Sequence, residues 1–93
     1  MLEKPVEVRL KQRIKDVLHG TAYKFTSPQR RSVPDRLCLL PDSVIFFVEC
    51  KATGKKPTPA QLSEHKRIRS LGFYVYVVDS YEDVDFIVDV YTK

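Results

Sequence analysis

The sequence predicts an α/β domain with a mixed β-sheet flanked by helices, in the order helix, three strands, helix, strand. The first observation behind this prediction is a run of β-branched and aromatic residues at 44–48, which is typical of a strand covered on both faces. The second is the helical spacing of apolar residues across 5–18. The third is a capping box beginning at Thr58, with a further apolar run at 73–78.

The first helix is expected to run from Pro5 to about Leu18, because proline is favoured in a first turn and His19-Gly20 is a stop signal. Glu7 lies within its apolar stripe, where a carboxylate is uncommon. A contact with the helix dipole, or an ion pair with a lysine, would account for Glu7 without a functional role. The stripe itself consists of Val6, Leu10, Ile14, Val17 and Leu18.

Three strands are expected next, at 22–26, 36–40 and 44–51. The last two are joined by the short Pro41-Asp42-Ser43 connection and should form a hairpin. Asp35, just before the second strand, would then lie level with Glu49 or Lys51. Alternation along the third strand places Glu49 and Lys51 on one face and Cys50 on the other.

These charged residues form a candidate catalytic centre. The carboxylates of Asp35 and Glu49 would converge at a strand end and repel one another unless a divalent cation neutralised both. Ligation by oxygen alone favours Mg²⁺ or Mn²⁺. Lys51 beside such an ion could hold or polarise a water molecule for attack on phosphorus, while the ion lowers the pKa of that water.

The spacing of Pro34-Asp35, thirteen residues, and Glu49-Cys50-Lys51 resembles the active-site signature of the PD-(D/E)XK nuclease superfamily. The surrounding sequence is similar to the VRR-NUC (virus-type replication-repair nuclease) branch of that superfamily. The similarity is carried by segments 30–37, 47–52 and 54–59, with Gln61 and His65. It extends over nearly the whole chain, and it implies a restriction-endonuclease-like core.

The resemblance also implies roles for individual residues. The implied catalytic residues are Asp35, Glu49, Lys51 and Gln61. The implied ligands of Mg²⁺ or Mn²⁺ are Glu7, Asp35, Glu49 and the backbone carbonyl of Cys50. Gln61 also has a purely structural explanation, because it is the third helical residue of the capping box that Thr58 begins. His65 shares the helix face of Gln61, either as a half-buried polar residue or as part of the centre.

The charge of the chain is distributed unevenly. Residues 1–78 contain 15 Lys and Arg against 7 Asp and Glu, a net +8, whereas residues 79–93 contain 1 against 5, a net −4. The basic region favours a polyanionic partner through phosphate contacts, although surface solvation would explain basic residues equally well. The residues predicted to contact DNA are Arg30, Arg31, Arg36, Lys55 and Lys56. Arg36 could instead pair with groups near Asp35.

The end of the chain is predicted to form a buried strand at 73–78 and then a helix over about 81–91. Ser80-Tyr81-Glu82-Asp83 resembles a capping box, which favours the helix, although the apolar spacing of this segment suits a strand equally well. The two cysteines, Cys38 and Cys50, fall in neighbouring predicted strands. They are expected to be buried small hydrophobic residues and not a disulfide or a metal pair.

The 93 residues are expected to form one domain, 1–93. No apolar run approaches the roughly 20 residues that cross a bilayer, and the first residues contain no signal-peptide apolar region. We therefore expect no membrane association and a cytoplasmic location, in the host cytosol if the chain is phage-encoded.

These features predict a metal-dependent DNA endonuclease. Stand-alone VRR-NUC proteins are typical of phages and resemble structure-selective endonucleases acting on branched DNA such as Holliday junctions. Two symmetric cuts need two active sites, so a homodimer is expected, with the C-terminal segment or the first helix as candidate contact surfaces. The alternatives are a non-catalytic DNA-binding or assembly module with the same fold, and a restriction-type endonuclease, although no large base-reading insert is evident.

Overall fold

A computed structural model describes residues 1–92 of the chain. The elements follow the order helix, three strands, helix, strand, helix: α1 (Glu3–Asp16), β1 (Thr21–Lys24), β2 (Arg36–Leu40), β3 (Val44–Cys50), α2 (Pro59–Ser70), β4 (Tyr74–Val78) and α3 (Tyr81–Tyr91). This is the predicted α/β architecture, and the last segment is the helix. Its first turn is stabilised because the Ser80 hydroxyl accepts a hydrogen bond from the Asp83 N–H at 3.1 Å.

The four strands form one mixed sheet in the order β1-β2-β3-β4. The β2–β3 pair is the predicted antiparallel hairpin, with Arg36 opposite Val48, and β4 is parallel to β3. A parallel pair requires a crossover connection, and α2 provides it. Continuing the hairpin register by one residue places Asp35 opposite Glu49, at the end of the sheet where β2 begins and β3 ends.

One face of the sheet is covered by α1 and α3, which also pack against each other. The side chains of Leu10, Ile14 and Phe46 are fully buried in this layer. Phe46 stacks on Tyr91 with ring centroids 4.5 Å apart, and the hydroxyls of Tyr76 and Tyr91 are hydrogen-bonded at 2.8 Å. The aromatic residues of the C-terminal segment therefore contribute to the core, where their polar ends satisfy each other.

The opposite face is covered only in part, because α2 packs mainly against β4. The prediction that 73–78 is a buried strand was therefore wrong in part. β4 is an edge strand of the sheet described here, and Tyr74 is 67% exposed. Cys38 and Cys50 are buried, free and in adjacent strands, as predicted.

The bounds of four elements differ from those predicted. β3 ends one residue earlier than expected, at Cys50, and β4 begins one residue later, at Tyr74. α1 begins at Glu3 and ends at Asp16, two residues earlier at each end than expected. His19 has a positive φ of 58°, and the Gly20 N–H donates to the Ile14 carbonyl at 3.0 Å, so the chain leaves the helix before Leu18. β1 covers Thr21–Lys24 instead of 22–26. Within residues 1–92, no helix combines the length and apolar character needed to span a bilayer.

Candidate active site

The predicted charged residues meet at the end of the sheet where β2 begins and β3 ends. The Cys50 backbone N–H donates a hydrogen bond to Asp35 Oδ2 at 2.8 Å. This contact fixes the Asp35 carboxylate beside the last residues of β3, level with Glu49. The prediction that Asp35 would lie level with Glu49 or Lys51 across the hairpin is confirmed by the register, which places it opposite Glu49.

Glu49 is the most deeply buried carboxylate of the group, with 2% of its surface exposed. Its Oε2 lies 3.7 Å from Lys51 Nζ and 3.4 Å from Gln61 Nε2. Burial raises the pKa of Glu49 to about 8, and the charge of the adjacent Asp35 adds to the increase. The two carboxyl groups therefore resist carrying two negative charges together, as expected for a pair that a cation would neutralise.

Lys51 and Gln61 form the other side of this cluster. Lys51 Nζ donates to Gln61 Oε1 at 2.7 Å, and the same oxygen accepts the Thr58 backbone N–H at 2.9 Å. Gln61 thus completes the predicted capping box and contacts both Lys51 and Glu49. Capping the helix and contacting the cluster are compatible, because one amide oxygen accepts two hydrogen bonds while the amide nitrogen faces the carboxylate.

Glu7 approaches the cluster from α1 and is only 6% exposed. Its Oε1 lies 3.3 Å from Arg36 Nη2 and 3.6 Å from Lys24 Nζ. The ion pair with a lysine that the sequence allowed is therefore present, and an arginine reinforces it. Arg36 is 7% exposed and also donates to the Ala22 carbonyl at 3.3 Å. Of the two roles open to Arg36, the structure has the pairing role and not a surface position suited to phosphate.

Two further residues lie near the cluster. The role of His65 was left open by the sequence, and Glu3 was not predicted. His65 is fully buried, its Nε2 lies 3.5 Å from Glu49 Oε1, and burial, followed by nearby Arg69 and Lys51, lowers its pKa. Neither ring nitrogen of His65 has a hydrogen-bond partner within residues 1–92. Burial raises the pKa of Glu3, and Asp35 and Glu7 add to the effect. Glu3 precedes Glu7 by one helical turn, a spacing that could have identified it.

The chemistry of these groups fits a divalent cation of the Mg²⁺ type. Carboxylate and carbonyl oxygens are the ligands such ions prefer. Glu7 Oε1 and Glu49 Oε1 are buried and accept no hydrogen bond from residues 1–92, so both have unused ligand capacity. Within the same residues no three His, Cys, Asp or Glu side chains surround one point, since Glu7 is turned towards Arg36. The residues that could hold the ion are Asp35, Glu49, Glu7 and the carbonyl of Cys50.

Four of the five predicted DNA-contacting residues lie in two loops that adjoin the cluster along the chain, 25–35 and 51–58, whereas Arg36 begins β2. Arg31, Lys55 and Lys56 are exposed. Arg30 is exposed as well, but its Nε donates to both carboxylate oxygens of Glu64, at 3.1 and 3.3 Å, which fastens its loop to α2. The loop after β3 is held because the Gly54 N–H donates to Asp79 Oδ2 at 3.0 Å. Lys55 and Lys56 therefore project from an anchored loop.

The chain is similar to one solved structure and to one phage protein described below. A solved structure of a VRR_NUC domain superposes with a TM-score of 0.88 and 40% sequence identity, covering 96% of each chain. A protein designated a candidate nuclease, p44 of Acyrthosiphon pisum secondary endosymbiont phage 1, is 64% identical over 61 residues. That match covers 66% of each protein, just under two thirds of the length of the phage protein. No family model matches the chain.

Proposed function

This chain belongs to the VRR-NUC family, and from that premise we propose that it is a metal-dependent endonuclease that hydrolyses phosphodiester bonds in branched DNA. The observation that carries the proposal is the cluster of Asp35, Glu49, Lys51 and Gln61, in which Glu49 is buried and the other three are partly buried. Such a cluster has a cost for folding, because charged groups are removed from water. That cost is expected where a site must bind a cation and act on a phosphate.

The carboxylates of Asp35 and Glu49, with Glu7 and the Cys50 carbonyl, would hold Mg²⁺ or Mn²⁺. When bound, the ion supplies charge neutralisation at the phosphate and lowers the pKa of a coordinated water. The orientation of the Asp35 carboxylate is fixed, because its Oδ2 accepts the Cys50 N–H at 2.8 Å. Its Oδ1 would then be free to bind the ion. The raised pKa of Glu49 supports the same assignment, since a cation would replace its proton.

Lys51 would position the attacking water. Its ammonium has three N–H groups, of which one is donated to Gln61 Oε1 at 2.7 Å and one faces Glu49 Oε2 at 3.7 Å. A third remains for a water molecule or a phosphate oxygen. Gln61 restrains Lys51, because its own side chain is tied to the first turn of α2. The lysine is thus held in one orientation before substrate arrives, which is the main way such residues lower a barrier.

A DNA substrate is proposed from the charge of the chain, and a branched one from its similarity to VRR-NUC nucleases. Residues 1–78 carry a net +8, and the exposed cations include Arg31, Lys55 and Lys56 beside the cluster. These contacts would be made with the phosphate backbone, which positions DNA without reading its sequence. Two coordinated cuts at a four-way junction need two active sites, so the acting form would be a homodimer.

The test is cleavage of labelled four-way junction, flap, single-stranded and linear duplex DNA with Mg²⁺ or Mn²⁺. The native chain is compared with Asp35→Asn and Lys51→Met, with the exposed Lys15→Met in the last turn of α1 as a matched control. We expect the native chain and the control to cut the junction preferentially, EDTA to stop cleavage, and the two site variants to bind without cutting. Binding without cleavage by the native chain under either metal would indicate a DNA-binding module instead.

A further inference from the structure

The face of the sheet opposite α1 and α3 is covered only in part, because α2 packs mainly on β4. On the uncovered part, Tyr23 lies opposite Leu37 and Leu37 lies opposite Phe47, so their side chains are neighbours across three strands. The apolar side chains of this area form one continuous surface, here called the aromatic platform. Its members are Tyr23, Phe25, Leu37, Leu39, Ile45, Phe47 and Phe73.

The rings of the aromatic platform pack against one another and remain open to water. Phe47 lies between Phe25 and Phe73, with ring centroids 5.6 and 6.1 Å away. Tyr23 and Phe73 are nevertheless 55% and 40% exposed. Since such rings can each bury about 150–250 Å², these two offer roughly 190 Å² of contact area to a ligand. A contiguous apolar surface left open in this way marks a binding site.

The aromatic platform adjoins the carboxylate cluster. Phe47 precedes Glu49 by two residues on the same face of β3, a distance of about 7 Å along the strand. The Phe25 N–H donates a hydrogen bond to the Asp35 carbonyl at 2.8 Å, which ties a second platform residue to the residue that supplies the other carboxylate. A group bound on the platform would therefore lie beside the proposed site of hydrolysis.

The charges around the aromatic platform are those that attract a nucleic acid. The seven platform side chains are uncharged, whereas the loops at 25–35 and 51–58 contain five Lys and Arg, and their single acidic residue, Asp35, belongs to the cluster. Glu64 pairs with Arg30 at 3.1 Å and with Arg67 at 3.9 Å, and both arginine side chains are 49% exposed. Two cations are thus held by one carboxylate. An apolar protein segment would gain nothing from these cations, whereas a nucleic acid uses both kinds of surface.

We propose that the aromatic platform stacks the unpaired bases of single-stranded DNA. Every base has a π-face, so aromatic side chains beside a cationic edge bind single strands with little regard to sequence. In a continuous duplex the bases stack on one another, and their faces are not available to the protein. The platform therefore distinguishes unpaired from paired nucleotides, while the cations bind the phosphates of the same strand.

Stacked bases would give the proposed nuclease a way to select branched DNA, a role that rests on the proposed function. A branched DNA has unpaired or easily opened bases where its arms meet, whereas a continuous duplex does not. With such a base on the platform and the cluster about 7 Å farther along β3, a neighbouring phosphate of the same strand would reach Asp35 and Glu49. Cleavage would then be directed to the strand beside the branch.

The experiment is fluorescence anisotropy in EDTA, where nothing is cut, with labelled probes of about 12 nucleotides. The probes are an oligothymidine, an abasic strand of the same length and a duplex. The native chain is compared with Tyr23→Ala and Phe73→Ala, and with Tyr23→Phe, which keeps the ring. Phe86→Ala on α3 is the matched control, because it removes a ring that is 63% exposed outside the platform. Circular dichroism and thermal unfolding check that each variant is folded, and either alanine variant of the platform suffices if the other is not.

We expect the native chain to bind oligothymidine at least about tenfold more tightly than the abasic strand. Tyr23→Ala and Phe73→Ala should each weaken oligothymidine binding about tenfold and leave the affinities for the abasic strand and the duplex unchanged. Tyr23→Phe and Phe86→Ala should bind all probes as the native chain does. The dependence of affinity on salt concentration should be the same in all these proteins, because the phosphate contacts are retained.

Equal affinity of the native chain for oligothymidine and the abasic strand would overturn the inference. So would folded alanine variants of the platform that bind all the probes as the native chain does, or that lose affinity for all of them alike. Because binding is read without metal, a preference for oligothymidine that Tyr23→Ala abolishes, in a chain that cuts nothing, supports the inference while refuting the proposed activity. Cleavage of the junction by a chain without that preference would refute the inference and leave the activity in place.

Discussion

The buried pair of Glu7 and Arg36 gives a stability prediction whose size follows from the structure. Glu7 Oε1 lies 3.3 Å from Arg36 Nη2, and the residues are 6% and 7% exposed. Glu7→Ala would leave the guanidinium buried with only the Ala22 carbonyl as an acceptor, at 3.3 Å. Arg36 Nε already has no hydrogen-bond partner within residues 1–92, so it cannot compensate.

Breaking a buried pair by removing one partner costs about 3–5 kcal/mol. We expect the lower end, about 3 kcal/mol, because Lys24, the second cation near Glu7, is 61% exposed and its pairing contributes little. A 93-residue domain unfolds with an entropy near 0.2 kcal/mol/K, so this loss lowers Tm by about 15 °C. The double variant Glu7→Ala/Arg36→Met should be about 2 kcal/mol more stable than the sum of the single losses indicates.

Urea unfolding in EDTA, followed by circular dichroism, measures these free energies without a contribution from bound metal. Arg36→Met supplies the second single variant of the cycle. A loss below about 0.5 kcal/mol for Glu7→Ala, or strict additivity in the double variant, would refute the interpretation that Glu7 stabilises Arg36. Glu7 would then act only through the site that it faces.

Three further changes have defined outcomes. His65→Phe should raise the Mg²⁺ concentration for half-maximal cleavage about tenfold or more, because Glu49 loses the neighbour 3.5 Å from its Oε1, whereas His65→Gln should retain much of the affinity. Gln61→Ala should lower the free energy of unfolding by about 1 kcal/mol through loss of the cap and also slow cleavage, whereas an unchanged rate would limit Gln61 to capping. Hydrogen bonding from Arg9 lowers the pKa of Asp85 in the folded state. The ionised carboxylate therefore stabilises the fold above the pKa that Asp85 has in the unfolded chain, and this stabilisation is lost as the pH falls through the pKa that it has in the folded chain. Asp85→Asn should therefore cost under about 1 kcal/mol at pH 7 and progressively less as the pH is lowered through the folded pKa, measured by urea unfolding.

The sequence was most informative where a local signal determined the geometry. The short connection at 41–43 set the hairpin register, and that register alone brought Asp35 level with Glu49. The capping box at Thr58 fixed the start of α2, which directed Gln61 towards the carboxylates. In both cases few backbone arrangements satisfy the local hydrogen bonds, so the spacing of the residues in the sequence determined where their side chains lie in the fold.

The features that were missed depend on how the helices and strands pack against one another. A local sequence pattern does not contain that information. As a basic residue, Arg36 could have contacted DNA, but it is buried and pairs with the buried Glu7 on α1. The run at 73–78 is apolar enough for a central strand, yet β4 lies at an edge because no later strand adds to it within residues 1–92. The sequence left open whether His65 belongs to the cluster, and the structure shows that α2 directs its side chain towards Glu49.

The most direct test of the proposed metal site is the binding of Mn²⁺ to the chain without DNA, followed by electron paramagnetic resonance. Asp35→Asn and Glu49→Gln remove one ligand charge each, and Asp42→Asn in the exposed β2–β3 turn is the matched control. We predict saturable binding to the native chain and the control, weakened at least about tenfold in both site variants. Equal Mn²⁺ affinity in all four proteins would contradict the assignment of this carboxylate pair as a divalent-metal site.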